Sequence, residues 1–447
     1  MNEGTLSAEL INRTRSFADA SWDPATRRRT ELCLVDSIGC FSAGLRLKHF
    51  NPSAVVASSL FGTSNAVDDI SSISPFQAAY LYGQAANALD YDDTLLGHPG
   101  AAIIGAILAV AIRAKLSMDR LLRGIAAGYE AHWIMASSAI PSRERATLVR
   151  SVGVWDTVAA SIGTAVSLGR NSEFLERLVG VAVAHSLIPY TAKWYERPVP
   201  ALKNNLGWAA AGAVLSLDLA GAGQTGISHA LDGVSGMWRM AGSDQFDLTR
   251  TRKDLPAVSR VGFKQFPACW HLQEYLKALS SGLEQLTEQE EIIAITARGP
   301  VEIEKFCRRD IIAPADVAFS LPATFSLLIS GVEPGAEWDE VDNESPALQY
   351  KDRFMFDLSE ARSLTLETTT GRLLTIDVKV SDPTDLASFG LDEKGVLAKY
   401  DRLASSQLRS ALESAFGAMH REPVQLYEAV AHMMLRTLQG KHRDNAL

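Results

Sequence analysis

Alanine and glycine recur on several faces of one apolar run after another through roughly the first 250 residues, and this constrains the fold more than any other feature. The runs "TRRRTELCLVDSIGCFSAGL" (26–45), "SPFQAAYLYGQAANALD" (74–90), "MDRLLRGIAAGYEAHWIMASSAI" (118–140), "WDTVAASIGTAVSLG" (155–169), "SEFLERLVGVAVAHSLI" (172–188) and "GWAAAGAVLSLDLAGAG" (207–223) repeat apolar residues at three- and four-residue spacing. Side chains that small let helix backbones approach closely, so the pattern predicts helices packed on helices. Stop signals agree: Gly169 is followed by Arg170-Asn171-Ser172, and Gly221, Gly223 and Gly226 close the run that starts near Trp208.

The period changes after about residue 255. "EIIAITARG" (291–299) and "RSLTLETTTGRLLTIDVKV" (362–380), the latter turning near Thr370-Gly371, alternate and are rich in Ile, Thr and Val, so strands are expected there. Helical spacing returns from Glu393 onward. The expected fold is therefore mainly α: a discontinuous all-α domain, 1–260 completed by 396–447, with a smaller α+β domain inserted at 261–395. A ligand site is expected in the cleft between the two.

Composition removes several classes of function. A net charge of −9, from 52 acidic against 43 basic side chains, disfavours broad contact with nucleic acid or an anionic membrane surface. The most apolar stretch, "GAAIIGAILAVAIRAKL" (100–116), reaches Arg113 well short of the roughly 18 to 20 residues a bilayer requires, and reads as a buried helix. The N-terminal segment has early acidic residues and no apolar core of signal-peptide type, so a cytoplasmic location is expected. Four cysteines without C-x-x-C or zinc-type spacing argue against disulfides and structural metal, and no phosphate-binding glycine fingerprint occurs.

Three stretches hold residues that could carry chemistry. In "ALDYDDTLLGHPGAA" (88–102), Asp90 and Asp93 or Thr94 would share a face if the helix continued, while Gly97, Pro99 and Gly100 force a turn around His98. A histidine in such a turn, with carboxylates to orient its ring, suits proton transfer near neutral pH; capping and loop solvation would use the same residues. Lys203 stands before Asn204-Asn205 and an apolar helix, where it would either bind a carboxylate at a cavity mouth or simply be solvated. In "VGFKQFPACWHLQ" (261–273), Phe263, Phe266 and Pro267 bracket Lys264, and Cys269, His271 and Gln273 follow at alternate positions. A packed thiol is the plainer role for Cys269, and His271 is a secondary candidate. His132, His185 and His229 lie beside Ala, Val or Ile and read as core histidines, and Asp156 as a residue near a helix N-terminus.

In this order and spacing, the stretches resemble the MmgE/PrpD family, which includes 2-methylcitrate dehydratase, cis-aconitate decarboxylase and iminodisuccinate epimerase. The resemblance rests on "ALDYDDT…HPG", on the lysine before the helix closing in "LAGAGQTG", on "FKQFPAC", and on "VAFSLPATFSLLISG" (317–331), which contains Ser320. It implies a helical domain with a lid domain, a homodimer, no metal or organic cofactor, and a small polycarboxylate substrate. Asp90, Thr94 and His98 would lie in the pocket, with Lys203 and Lys264 as cations facing the substrate and Asp93, Cys269, His271, Gln273 and Ser320 as further binding residues. His98 would transfer the proton and Asp90 would orient it. The chain departs from the family pattern in having no histidine between His132 and His185, Ala323 after Pro322, and Gln273 where a histidine is frequent. The implied activity is a hydro-lyase of 2-methylcitrate dehydratase type, with epimerisation or decarboxylation on the same site, or a non-catalytic binding protein, as alternatives.

Overall fold

Helix starts follow local chemistry. Ser74 caps α3 (Pro75–Asn87) by accepting from the Gln77 amide at 3.1 Å, and Asn171 caps α7 (Ser172–Val183) by accepting from Phe174 at 2.9 Å. Proline stands at the first position of α2 (Pro24–Gly44), α3 and α4 (Pro99–Ala114), where its missing N–H costs no intrahelical bond. The computed structural model describes residues 5–19, 21–50, 52–53, 56–57, 73–146, 148–149, 152–187, 196–200, 203–251 and 254–444.

The helical core is built from α1 (Leu6–Asp19), α2, α3, α4, α5 (Met118–Ser138), α6 (Asp156–Ser167), α7 and α8 (Leu206–Gly221), with α4 buried on nearly every side. The small residues act as the sequence predicts. Where α5 crosses α6, a Cβ on Gly124 would sit 2.7 Å from the Gly163 carbonyl oxygen, and one on Gly163 equally close to that of Gly124. Such backbone approach is open only to glycine. After a long excursion the chain returns to this core: Val396, Tyr400 and Leu403 of α11 (Glu393–Leu403) pack with α2, followed by α12 (Ser406–Gly417) and α13 (Val424–Asp444).

Between Phe263 and Phe266 the chain passes into a second apolar cluster. This one gathers α9 (Trp270–Leu283), α10 (Leu321–Ile329) and a four-stranded sheet of order β2-β1-β3-β4. Strand β1 (Ile292–Gly299) and the hairpin β3 (Ser363–Thr368)/β4 (Leu373–Asp377), turning through Gly371 at φ 80°, match the expected strands. Strand β2 (Phe354–Leu358) lies parallel to β1, with Ile295 opposite Phe354, and its "FMFDL" carries no clear alternation that would have shown it. Inward Leu364 and Leu366 of β3 meet α9. The fold is thus mainly α with a small α/β portion. No helix among the described residues is long and apolar enough to cross a membrane.

Candidate functional site

Helix α3 does not continue through Asp93, as the face-sharing expectation required; it ends at Asn87, and the left-handed conformation of Asp90 at φ 53° is incompatible with its continuation, while Leu96 takes a second left-handed conformation at φ 50°. Residues 88–98 are instead a buried loop held from several sides. Thr94 and Gly262 exchange two backbone hydrogen bonds of 2.9 Å each, Thr94 Oγ1 donates to the Gly97 carbonyl, and Lys399 of α11 donates to the Tyr91 carbonyl at 2.5 Å. His132 Nε2 lies 2.7 Å from the Leu95 carbonyl while its Nδ1 lies 2.8 Å from Asp156, so a buried His–Asp pair braces the loop from below.

The loop closes around one carboxylate. Asp90 is fully buried; its Oδ2 accepts from Lys264 Nζ at 3.0 Å, and its Oδ1 lies 3.7 Å from His98 Nε2 and 3.9 Å from Lys203 Nζ. Burial alone would raise its pKa, but Lys264, His98 and Lys203 together outweigh that and hold it down to about 2. The imidazole and both ammonium groups, from distant parts of the chain, thus converge on a single point. Lys203 is not solvated: it is 2% exposed, donates to the carbonyls of Asn87 and Ala88 at 3.0 and 3.1 Å, and burial lowers its pKa. Lys264 likewise gives a 2.6 Å bond to the Asp90 carbonyl. Neither lysine lines the cavity at His98, and the charge of both is turned to Asp90 and to backbone oxygens.

His98 precedes α4 and lines a cavity of about 480 Å³. The carboxylate that orients its ring is Asp92, 3.2 Å from Nδ1, and not Asp90, which stands beyond hydrogen-bond distance of Nε2. Asp92 is fixed in turn by Asn87 Nδ2 at 3.0 Å, and Asn87 Oδ1 accepts from Asn204 Nδ2 at 3.0 Å. Asn204 reaches the cavity wall, so a relay of side chains runs from there to the imidazole. The wall also includes Thr94, Cys269, His271, Glu274, Ser381 and Arg362. Arg362 Nη1 donates to Glu274, whose other oxygen accepts from the Ser381 amide at 2.7 Å and its hydroxyl at 2.8 Å.

Thr94, His98, Cys269 and His271 therefore share one cavity, while three expected binding residues do not line it. Asp93 turns toward the core, accepting from Tyr129 Oη and from the Gly100 amide at 3.2 Å; burial, then Asp36 and Asp92, push its carboxyl up to about 8. Gln273 ties the turn after Lys264, accepting from the amides of Gln265 and Phe266 and donating to the carbonyls of Phe266 and Ala268. Ser320 caps α10, accepting from Ala323 and donating to the Arg308 carbonyl. His229 is exposed and not a core residue. The roles of Asn87, Asp92, Asn204 and Arg362 were not legible in the sequence. All four stand in stretches of clear helical, loop or strand pattern, but only the fold sets their direction. Among the described residues, no group of three His, Cys, Asp or Glu side chains is placed to hold a metal ion.

An imidazole held at Nδ1 by Asp92, with Asp90 beyond its other nitrogen, stands at the wall of a cavity on a helical core with a small α/β portion, and is a group of the type that takes or gives a proton near neutral pH. The sequence matches the MmgE/PrpD N-terminal domain over residues 12–249, more than half of the chain, and the protein belongs to the MmgE/PrpD family. Members of that family are generally enzymes, of dehydratase or other lyase type or related to them. No curated protein matches the sequence closely enough to stand as a named relative.

Proposed function

We propose that this chain is a hydro-lyase of 2-methylcitrate dehydratase type, removing a proton next to a carboxylate of a small di- or tricarboxylic acid and eliminating water. One observation carries the reading: His98 lines the cavity while its Nδ1 is fixed at 3.2 Å by Asp92, leaving Nε2 as the nitrogen to accept a proton. The negative charge that offsets the resulting imidazolium comes from Asp92 at Nδ1 and from Asp90, whose Oδ1 lies 3.7 Å from Nε2. The C–H bond breaks toward Nε2, the electron pair forms the new C=C bond, and the β-hydroxyl leaves with a proton. His271, on the same cavity wall, is the group proposed to supply that proton. The unit around the sheet, which contributes Phe306, Phe319 and Arg362 to the cavity, is proposed as its lid.

The test is solvent exchange in D₂O across a panel of such acids, citrate, 2-methylcitrate and aconitate among them, followed by proton NMR. Wild-type protein is expected to exchange or eliminate the α-proton, and His98→Asn to lose about 10²–10⁴-fold of that rate with unchanged circular dichroism. Exchange persisting at the wild-type rate in His98→Asn would refute the assignment. Exchange without loss of water would move the reading to epimerisation, and loss of CO₂ to decarboxylation.

A further inference from the structure

The cavity that His98 lines is mostly walled by hydrocarbon. Ala136 and Ala139 at the end of α5, Ile140 after them, Trp155 before α6, and Phe319 and Leu386 from the other side all face it. Five of the six are buried, Ile140 being half-buried, so this is a shaped wall and not a solvent-washed rim. The one guanidinium on the wall, among the described residues, is Arg362, with a single hydrogen bond to Glu274 through Nη1; a guanidinium has five N–H donors in a planar fork that suits a carboxylate. Sites for small ligands are concave and mainly apolar, with a few polar groups that fix orientation, and the lining of this one has that composition.

Resting on the proton-transfer reading above, we propose that the substrate is a carboxylic acid carrying an apolar substituent about the size of a phenyl ring or a short alkyl chain. Arg362 anchors the carboxylate, His98 faces the carbon next to it, and the substituent lies against Ala139, Ile140 and Trp155. A wholly hydrophilic acid would leave that wall in contact with water, and the transfer of apolar surface out of water is what favours the substituted acid.

Binding of succinate, citrate, benzylsuccinate and pentylsuccinate to full-length wild-type protein, measured by calorimetry, tests the proposal, with α-proton exchange of each followed separately in D₂O. Benzylsuccinate and pentylsuccinate are expected to bind at least tenfold more tightly than succinate, and Arg362→Gln to weaken all of them. Ala139→Phe, which fills the wall, should erase the advantage of the substituted acids; the wild-type comparison stands even where that variant fails to fold. Equal or tighter binding of succinate or citrate overturns the proposed substrate class. The two readings fail separately: exchange of plain acids with no gain from the substituent removes only the substrate class, whereas tight binding of the substituted acids without exchange of any acid removes only the proton-transfer reading.

Discussion

Asp93 offers a perturbation whose size follows from the structure. Its carboxyl is buried with no cation among its hydrogen-bond partners, and its pKa rises to about 8, against about 3.9 in an unfolded chain. Between those values the folded protein holds a proton that the unfolded chain releases. Stability therefore falls as pH rises, by about 1.4 kcal/mol per pH unit from near pH 4 until the folded carboxyl itself ionises near pH 8. Asp93→Asn is neutral at every pH and keeps an acceptor for the Gly100 amide and a polar partner for Tyr129. Below pH 4 variant and wild type should be nearly equal in stability, and at pH 7 the variant should be the more stable by about 4 kcal/mol. Urea unfolding of both proteins at pH 5, 6, 7, 8 and 9, followed by tryptophan fluorescence, reads the difference directly, because titrating groups not coupled to Asp93 cancel. A difference independent of pH, or one that favours wild type as pH rises, would refute the claim that Asp93 is neutral in the folded protein. Infrared difference spectra, in which a protonated-acid carbonyl band should vanish with Asp93→Asn, give an independent reading.

Two further substitutions probe the same loop. Lys264→Ala removes the ammonium 3.0 Å from Asp90 and leaves that buried carboxylate undercompensated, so a loss of about 3–5 kcal/mol is expected in chemical unfolding; a loss under 1 kcal/mol would contradict the charge balance drawn around Asp90. Gly100→Ala would place a Cβ 2.5 Å from Tyr129 Oη and 2.7 Å from Asp93 Oδ1, so destabilisation of about 1–3 kcal/mol should outweigh the helix propensity gained, and a rise in Tm would contradict the packing.

Much of the architecture was legible along the chain. The Ala/Gly runs with three- and four-residue spacing determined helices that approach closely, the alternating Ile/Thr/Val segments determined β1, β3 and β4, and the loop at 88–98 with Lys203 and Lys264 stood out by composition. These are local properties, set by backbone period and by side-chain size and charge. Only the tertiary structure decided that Asp92 and not Asp90 holds the His98 ring, and that both lysines spend their charge on Asp90. It alone turned Asp93 toward Tyr129, set Gln273 to securing a turn and Ser320 to capping a helix, and brought Arg362, next to the distant strand β3, to the wall His98 occupies. The physical reason is direction. A left-handed residue at 90 and a proline at 99 set where the groups between them point, and the partners they then meet, Tyr129 and His132 on one helix and Lys203 and Lys264 more than a hundred residues on, are brought there by tertiary packing that no local pattern encodes.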